Sequence, residues 1–152
     1  MNGKHVERRT LVLDAIADVR DCAVQMRASA DNLRKELPRL RVDENLRAAA
    51  NGLCGRLAQV SSEALSTVGE QRDAALAPEP DAVVILRALS DVEARMMDVL
   101  AGFAGLVEKL EAAAERDERC EAAYVLVIEA AGGLLQRFQA ARTSTDALRA
   151  AM

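Results

Sequence analysis

The side chains able to carry acid–base, nucleophilic or metal chemistry are few in this chain and widely scattered. His5 is the only histidine. That removes His-based triads and the Glu-x-x-His pair with which ferritin-like bundles hold two irons. Cys22, Cys54 and Cys120 are odd in number and far apart, so neither a disulfide framework nor a zinc-ligand spacing is implied. They read as small apolar residues near or on core stripes, in a reducing compartment. Glu115, Glu118 and Glu121 recur every third residue, and Asp14, Asp18 and Asp21 form a similar set. On a continuous helix each set shares one face, as paired carboxylates for Mg²⁺ would. Arginines intersperse both sets, however, and no facing acidic cluster matches them. They read as solvated charged faces. No Gly-rich phosphate loop is present; Gly102, Gly105 and the pair Gly132-Gly133 interrupt helical patterns and read as sites of close helix packing. The expectation is therefore a non-enzymatic chain with no catalytic residue, cofactor or metal.

The elements that must position these residues are helices. Aromatics are only 2% of the 152 residues (Tyr124, Phe103 and Phe138) and tryptophan is absent. Ala, Leu, Arg and Glu dominate, all strong helix formers, and no strand-like alternation exceeds a few residues. Hydrophobic residues make up 51% and charged residues 29%, close to the globular norm, which argues against disorder. Four segments of similar length carry apolar residues at alternating spacings of four and three. The first runs Val12, Ile16, Val19, Ala23, Met26, Ala30, Leu33, Leu37 and stops before Pro38. The second runs Leu46, Ala50, Leu53, Leu57, Val60, Ala64 behind an Asp43 cap, drifting near Thr67 and Gln71. Pro78-Glu79-Pro80 breaks the chain, and Asp81 can cap the segment that follows. The third is the cleanest: Ile85, Leu89, Val92, Met96, Val99, Phe103, Leu106, Leu110, widened by Leu86, Leu100 and Val107. The fourth runs Cys120, Tyr124, Val127, Ala131, Leu134, Phe138, Ala141 and can continue through Leu148.

This pattern predicts an all-α, antiparallel up-down-up-down four-helix bundle, a single domain over residues 1–152. Helices are expected at about 6–37, 43–76, 81–115 and 118–142, with a short C-terminal extension. The third, with its large residues, should be the most buried. Its neighbours should approach closely through their alanines. One alternative stays open. Neither Gly nor Pro separates Leu110 from Cys120, and the heptad spacing passes through Ala113 and Asp117. The third and fourth helices could therefore form one rod in a dimer. A turn is favoured by charge: Arg34, Lys35, Arg39, Arg41 and Arg47 flank the first connection. Glu108, Glu111, Glu115, Asp117, Glu118 and Glu121 flank the third. In an up-down bundle those two connections meet at one end, with opposite signs.

The net charge of −4, with lysine confined to Lys4, Lys35 and Lys109, leaves no basic stripe for nucleic acid. Arginine and alanine richness fits the coding bias of a GC-rich bacterial genome. The N-terminal residues lack the apolar core of a signal peptide, and the apolar run from Ala122 to Leu135 is too short to span a bilayer and contains Glu129. A cytoplasmic chain without a membrane span is expected. Within that run, Val125 and Leu126 fall outside the stripe. With Ala122, Ala130, Gly132 and Gly133 they make the middle of the fourth helix apolar nearly all round. Such a helix is usually covered on every side. These six residues are the candidate interface for a protein partner or a second copy. The expected function is a self-associating bacterial adaptor, chaperone-like or regulatory module, possible as a homodimer. The alternative is a sensor holding a small apolar ligand between Met96, Phe103, Val127 and Phe138.

Overall fold

A computed structural model describes residues 2–152, with side chains described at position 3 and from position 6 onward. His5 therefore lies outside the described side chains. Four helices follow in order: α1 (Asn2–Glu36), α2 (Glu44–Ala75), α3 (Ala82–Arg116) and α4 (Glu121–Ala150), with no strand among the described residues. α1 packs on α2 and α4, and α3 packs on the same two, while α1 and α3 also touch across the diagonal. The fold is an antiparallel four-helix bundle.

Local chemistry sets the helix ends. α1 ends before Pro38, which lies in a short 3-10 turn, Leu37–Arg39. Asp43 opens α2 by accepting the Asn45 amide at 2.8 Å. Asp81 opens α3 by accepting the Val83 and Val84 amides at 3.1 and 3.2 Å. The stripes of α1 and α3 are buried along their full expected length. Among the described residues, six of the twelve largest fully buried side chains come from α3: Phe103, Ile85, Leu89, Met96, Leu110 and Val92. α1 contributes the small core residues Ala15, Cys22, Ala23 and Ala30, all at most 1% exposed. α1 also buries the larger Val19, Met26 and Leu33, each at most 1% exposed, so both diagonal helices mix large and small core residues.

The continuous rod is excluded by Asp117. Its backbone is extended, with φ −146° and ψ 108°, so the helix stops there. The Asp117 carboxylate accepts the Arg119 amide at 3.1 Å and is gripped by the Arg119 guanidinium as well. Aspartate competes well for nearby amides, which makes it a poor helix interior and a good terminator. The heptad reading had placed Asp117 on the core stripe; it is a half-buried turn residue instead. Arg41 reaches it from the first connection at 3.4 Å, so the oppositely charged connections do meet at one end. The turn also separates the glutamate triplet. Glu115 closes α3, Glu118 lies in a second 3-10 turn and Glu121 begins α4, so the three share no helix face. At the other end, α4 continues to Ala150 rather than stopping near 142, because Thr145 and Leu148 are both fully buried and extend its stripe.

Candidate functional site

Two features of the bundle invite a functional reading: the outer face of α4 and a polar cluster inside. On α4, residues 125, 128, 132 and 135 lie at intervals of three, four and three and share one face. Val125, Ile128 and Leu135 are 40%, 39% and 48% exposed, and Gly132 is exposed between them. Ala122 adds an exposed methyl one turn earlier.

The other residues expected at an interface fall elsewhere. Leu126 and Ala130 are half-buried and pack against the bundle's own core. Gly133 is turned toward α1, where a Cβ would stand 4.0 Å from the Gln25 side chain. The exposed face thus gathers Ala122, Val125 and Gly132 from the sequence reading and adds Ile128 and Leu135, which that reading missed. Their signal was the repeat of a large aliphatic immediately after two stripe residues, Val127 and Leu134.

Inside the bundle, Glu93 on α3 is only 4% exposed and Thr145 on α4 is fully buried. The Thr145 Oγ1 lies 2.6 Å from Glu93 Oε1 and 3.1 Å from the Arg142 carbonyl oxygen. Burial pushes the Glu93 carboxyl up from its ordinary value, and the Thr145 hydrogen bond and the Arg142 and Arg149 charges pull partly against it. Around this pair, Ser144 donates to Asp18 of α1, and the Arg149 guanidinium donates to Ser90 of α3 at 3.0 Å and to Asp146. Elsewhere in the interior, the Ser61 hydroxyl donates to the Ala23 carbonyl at 2.7 Å, tying α2 to α1. Neither Glu93 nor Thr145 was singled out in the sequence. The available signal was positional: residues 86, 93, 100 and 107 are seven apart, and Glu93 interrupts a column otherwise made of Leu86, Leu100 and Val107.

Comparison with protein-family models, curated proteins and solved structures finds no match.

The chemistry of the remaining groups is quiet. Cys22, Cys54 and Cys120 are all buried free thiols. The Cys22 thiol is pushed up to about 12, by burial first and by the Glu93 charge second, with Arg137 opposing. Burial also raises Cys54. A thiol is nucleophilic only as its thiolate. Cys22 and Cys54 are therefore expected to resist a thiol reagent at pH 8 in the folded protein and to react once denaturant is added. Modification of Cys22 in native buffer at the rate of a small free thiol would contradict its burial.

Among the described residues no group of three or more His, Cys, Asp or Glu could hold a metal ion. Met96, Phe103, Val127 and Phe138, the residues considered for an apolar ligand, are between 0% and 5% exposed. They pack within the core cluster, and none of them lines either of the two grooves at the bundle ends. The larger groove, about 810 Å³, is open and lies between Arg8, Arg9, Val12, the Pro78–Pro80 connection and Met152. The smaller, about 400 Å³, lies beside the Arg41–Asp117 pair and Cys120. No helix among the described residues is long and apolar enough to cross a membrane.

Proposed function

We propose that this chain is a non-enzymatic protein–protein interaction module that associates with a second copy through the outer face of α4. The observation that carries this reading is the alignment of Val125, Ile128 and Leu135 on one exposed face with Gly132 between them. Covering their exposed parts would stabilise a complex by roughly 0.5–1.5 kcal/mol each. Gly132 removes a side chain where a partner helix would cross, and a Cβ there would meet nothing within the same chain. A symmetric dimer is the commonest closed arrangement for such a face. A bacterial, cytoplasmic adaptor or regulator is the biological role that best suits a stable bundle with quiet chemistry.

The test follows from the burial difference along α4. Ile128→Glu together with Leu135→Glu places charge on residues already half in water, so circular dichroism should remain that of a folded helical protein. Light scattering should then fall from an assembly to the 16.3 kDa chain. A wild-type protein that is already monomeric at tens of micromolar would remove self-association from the reading. Leu126→Glu is the contrasting variant. Because Leu126 packs on the core, its replacement should lower thermal stability rather than assembly size alone.

A further inference from the structure

Glu93 is a carboxyl buried in an apolar bundle, and among the described residues no cation lies within ion-pair distance of it. An unpaired charge in that position is costly, so a proton is the simplest compensation. The hydrogen-bond geometry agrees. Thr145 Oγ1 has one proton but stands within bonding distance of two oxygens, Glu93 Oε1 at 2.6 Å and the Arg142 carbonyl at 3.1 Å. If the carboxyl is neutral, Glu93 donates to Thr145 and Thr145 donates to the carbonyl, and both contacts are made. If it is ionised, the single hydroxyl proton can satisfy only one of them.

We propose that Glu93 and Thr145 form a proton-linked latch between α3 and the C-terminal half of α4, closed while the carboxyl holds its proton and loosened when the proton leaves to solvent. The surrounding charges bound its working. Burial is the largest influence and favours the protonated form; from α4, the Thr145 hydrogen bond and the Arg142 and Arg149 charges partly favour the ionised form, and Asp146 opposes them. From α1, the Cys22 thiol faces the Glu93 charge, and Asp18 is already bonded to Ser144. No ionisable group of α2 is among those acting on Glu93. The Arg149 guanidinium bonds Asp146 and Ser90 at the surface and makes no ion pair with Glu93.

The sign of the pH dependence follows from the direction of the shift. The folded value is raised, so the latch contributes fully below the ordinary carboxyl value of 4.5 and is lost as pH climbs through the folded value. Between those two values the equilibrium favouring the closed state weakens by up to about tenfold per pH unit. Asp117 behaves oppositely. Its carboxyl is lowered by the Arg119 hydrogen bonds, so what it contributes is lost only as pH falls below 3.8, outside this window.

Amide hydrogen exchange across α4 between pH 5 and 8, corrected for intrinsic rates, tests the latch on wild type and Glu93→Gln. Wild-type protection over residues 137–150 should fall, by up to about tenfold per unit, as pH rises toward the raised Glu93 value and level off above it. The glutamine variant should hold its protection flat and exceed wild type at pH 8. Parallel profiles for the two proteins would overturn the proposal. Should the variant fail to fold, carboxyl-carbon NMR of wild-type Glu93 decides. A midpoint above 4.5 supports the latch, and a midpoint at or below it overturns the latch.

Discussion

Replacing Phe103 with alanine is expected to destabilise the protein by about 3–5 kcal/mol, near the top of the range for large-to-small core changes. Phe103 is 1% exposed and belongs to α3, the helix that supplies half of the twelve bulkiest fully buried side chains among the described residues. The size of the loss depends on whether neighbours can collapse into the space left behind, and here they are already close. At the adjacent Gly102 a Cβ would stand only 2.6 Å from Leu53 Cδ2, so α3 and α2 are in contact beside the ring. Elsewhere in the same core cluster Ala23 and Ala30 of α1 are packed to zero exposure. With little room for relaxation, most of the cavity should persist. For a chain of 152 residues the loss should appear as a fall in melting temperature of roughly 2–4 °C per kcal/mol. Leu106→Ala, also on the α3 stripe and 4% exposed, should cost about 2–5 kcal/mol. If calorimetry finds both substitutions nearly neutral, α3 is not the element around which the bundle is packed.

What could be read from the sequence follows the strength of its periodicity. Alternating four-and-three spacing recurs often enough on each helix to fix which face is inward, and the stripes of α1 and α3 are buried as a result. Asp43 and Asp81 were legible as caps because each stands directly before an apolar repeat. The turn at Asp117 was only partly legible. Its spacing fits the core stripe, and what decides against the helix is a competition between its own carboxylate and the backbone, together with Arg41 arriving from another connection. Glu93 and Thr145 were not legible, because each is one polar residue in an otherwise regular column and resembles noise until the partner across the helix pair is known.

The exposed face of α4 was legible at Ala122, Val125 and Gly132 but not at Ile128 and Leu135, for a related reason. Spacing gives the angle of a residue around its helix but not how far a neighbouring helix reaches to cover it. On α3, Leu86 follows the stripe residue Ile85 and is buried, and Leu100 and Val107 in the same column are half-buried. On α4, Ile128 and Leu135 hold the equivalent positions after Val127 and Leu134, yet remain exposed.

The second large effect distinguishes a register from a loop. One glycine inserted between Asp98 and Val99 should abolish cooperative folding, whereas the same glycine between Arg116 and Asp117 should cost no more than about 1 kcal/mol. The insertion in α3 turns everything after it by about 100° around the helix axis. Val99, Phe103, Leu106 and Leu110, each at most 4% exposed, would then leave the core together, and the inserted glycine, Gly102, Gly105 and Lys109 would take their places. Loss of even two such side chains to water removes about 3–6 kcal/mol, comparable with the whole stability of an ordinary domain. At Arg116–Asp117 the helix has already ended, and the extended backbone of Asp117 carries no stripe residue out of place. The exposed cost there is the Arg41–Asp117 contact and the grip of Arg119, both at the surface and individually weak. Circular dichroism melts of the two insertions give the comparison directly. A steep loss of melting temperature for the Arg116–Asp117 insertion would mean that the helical register runs through the turn, and the four-helix description would fail at that point.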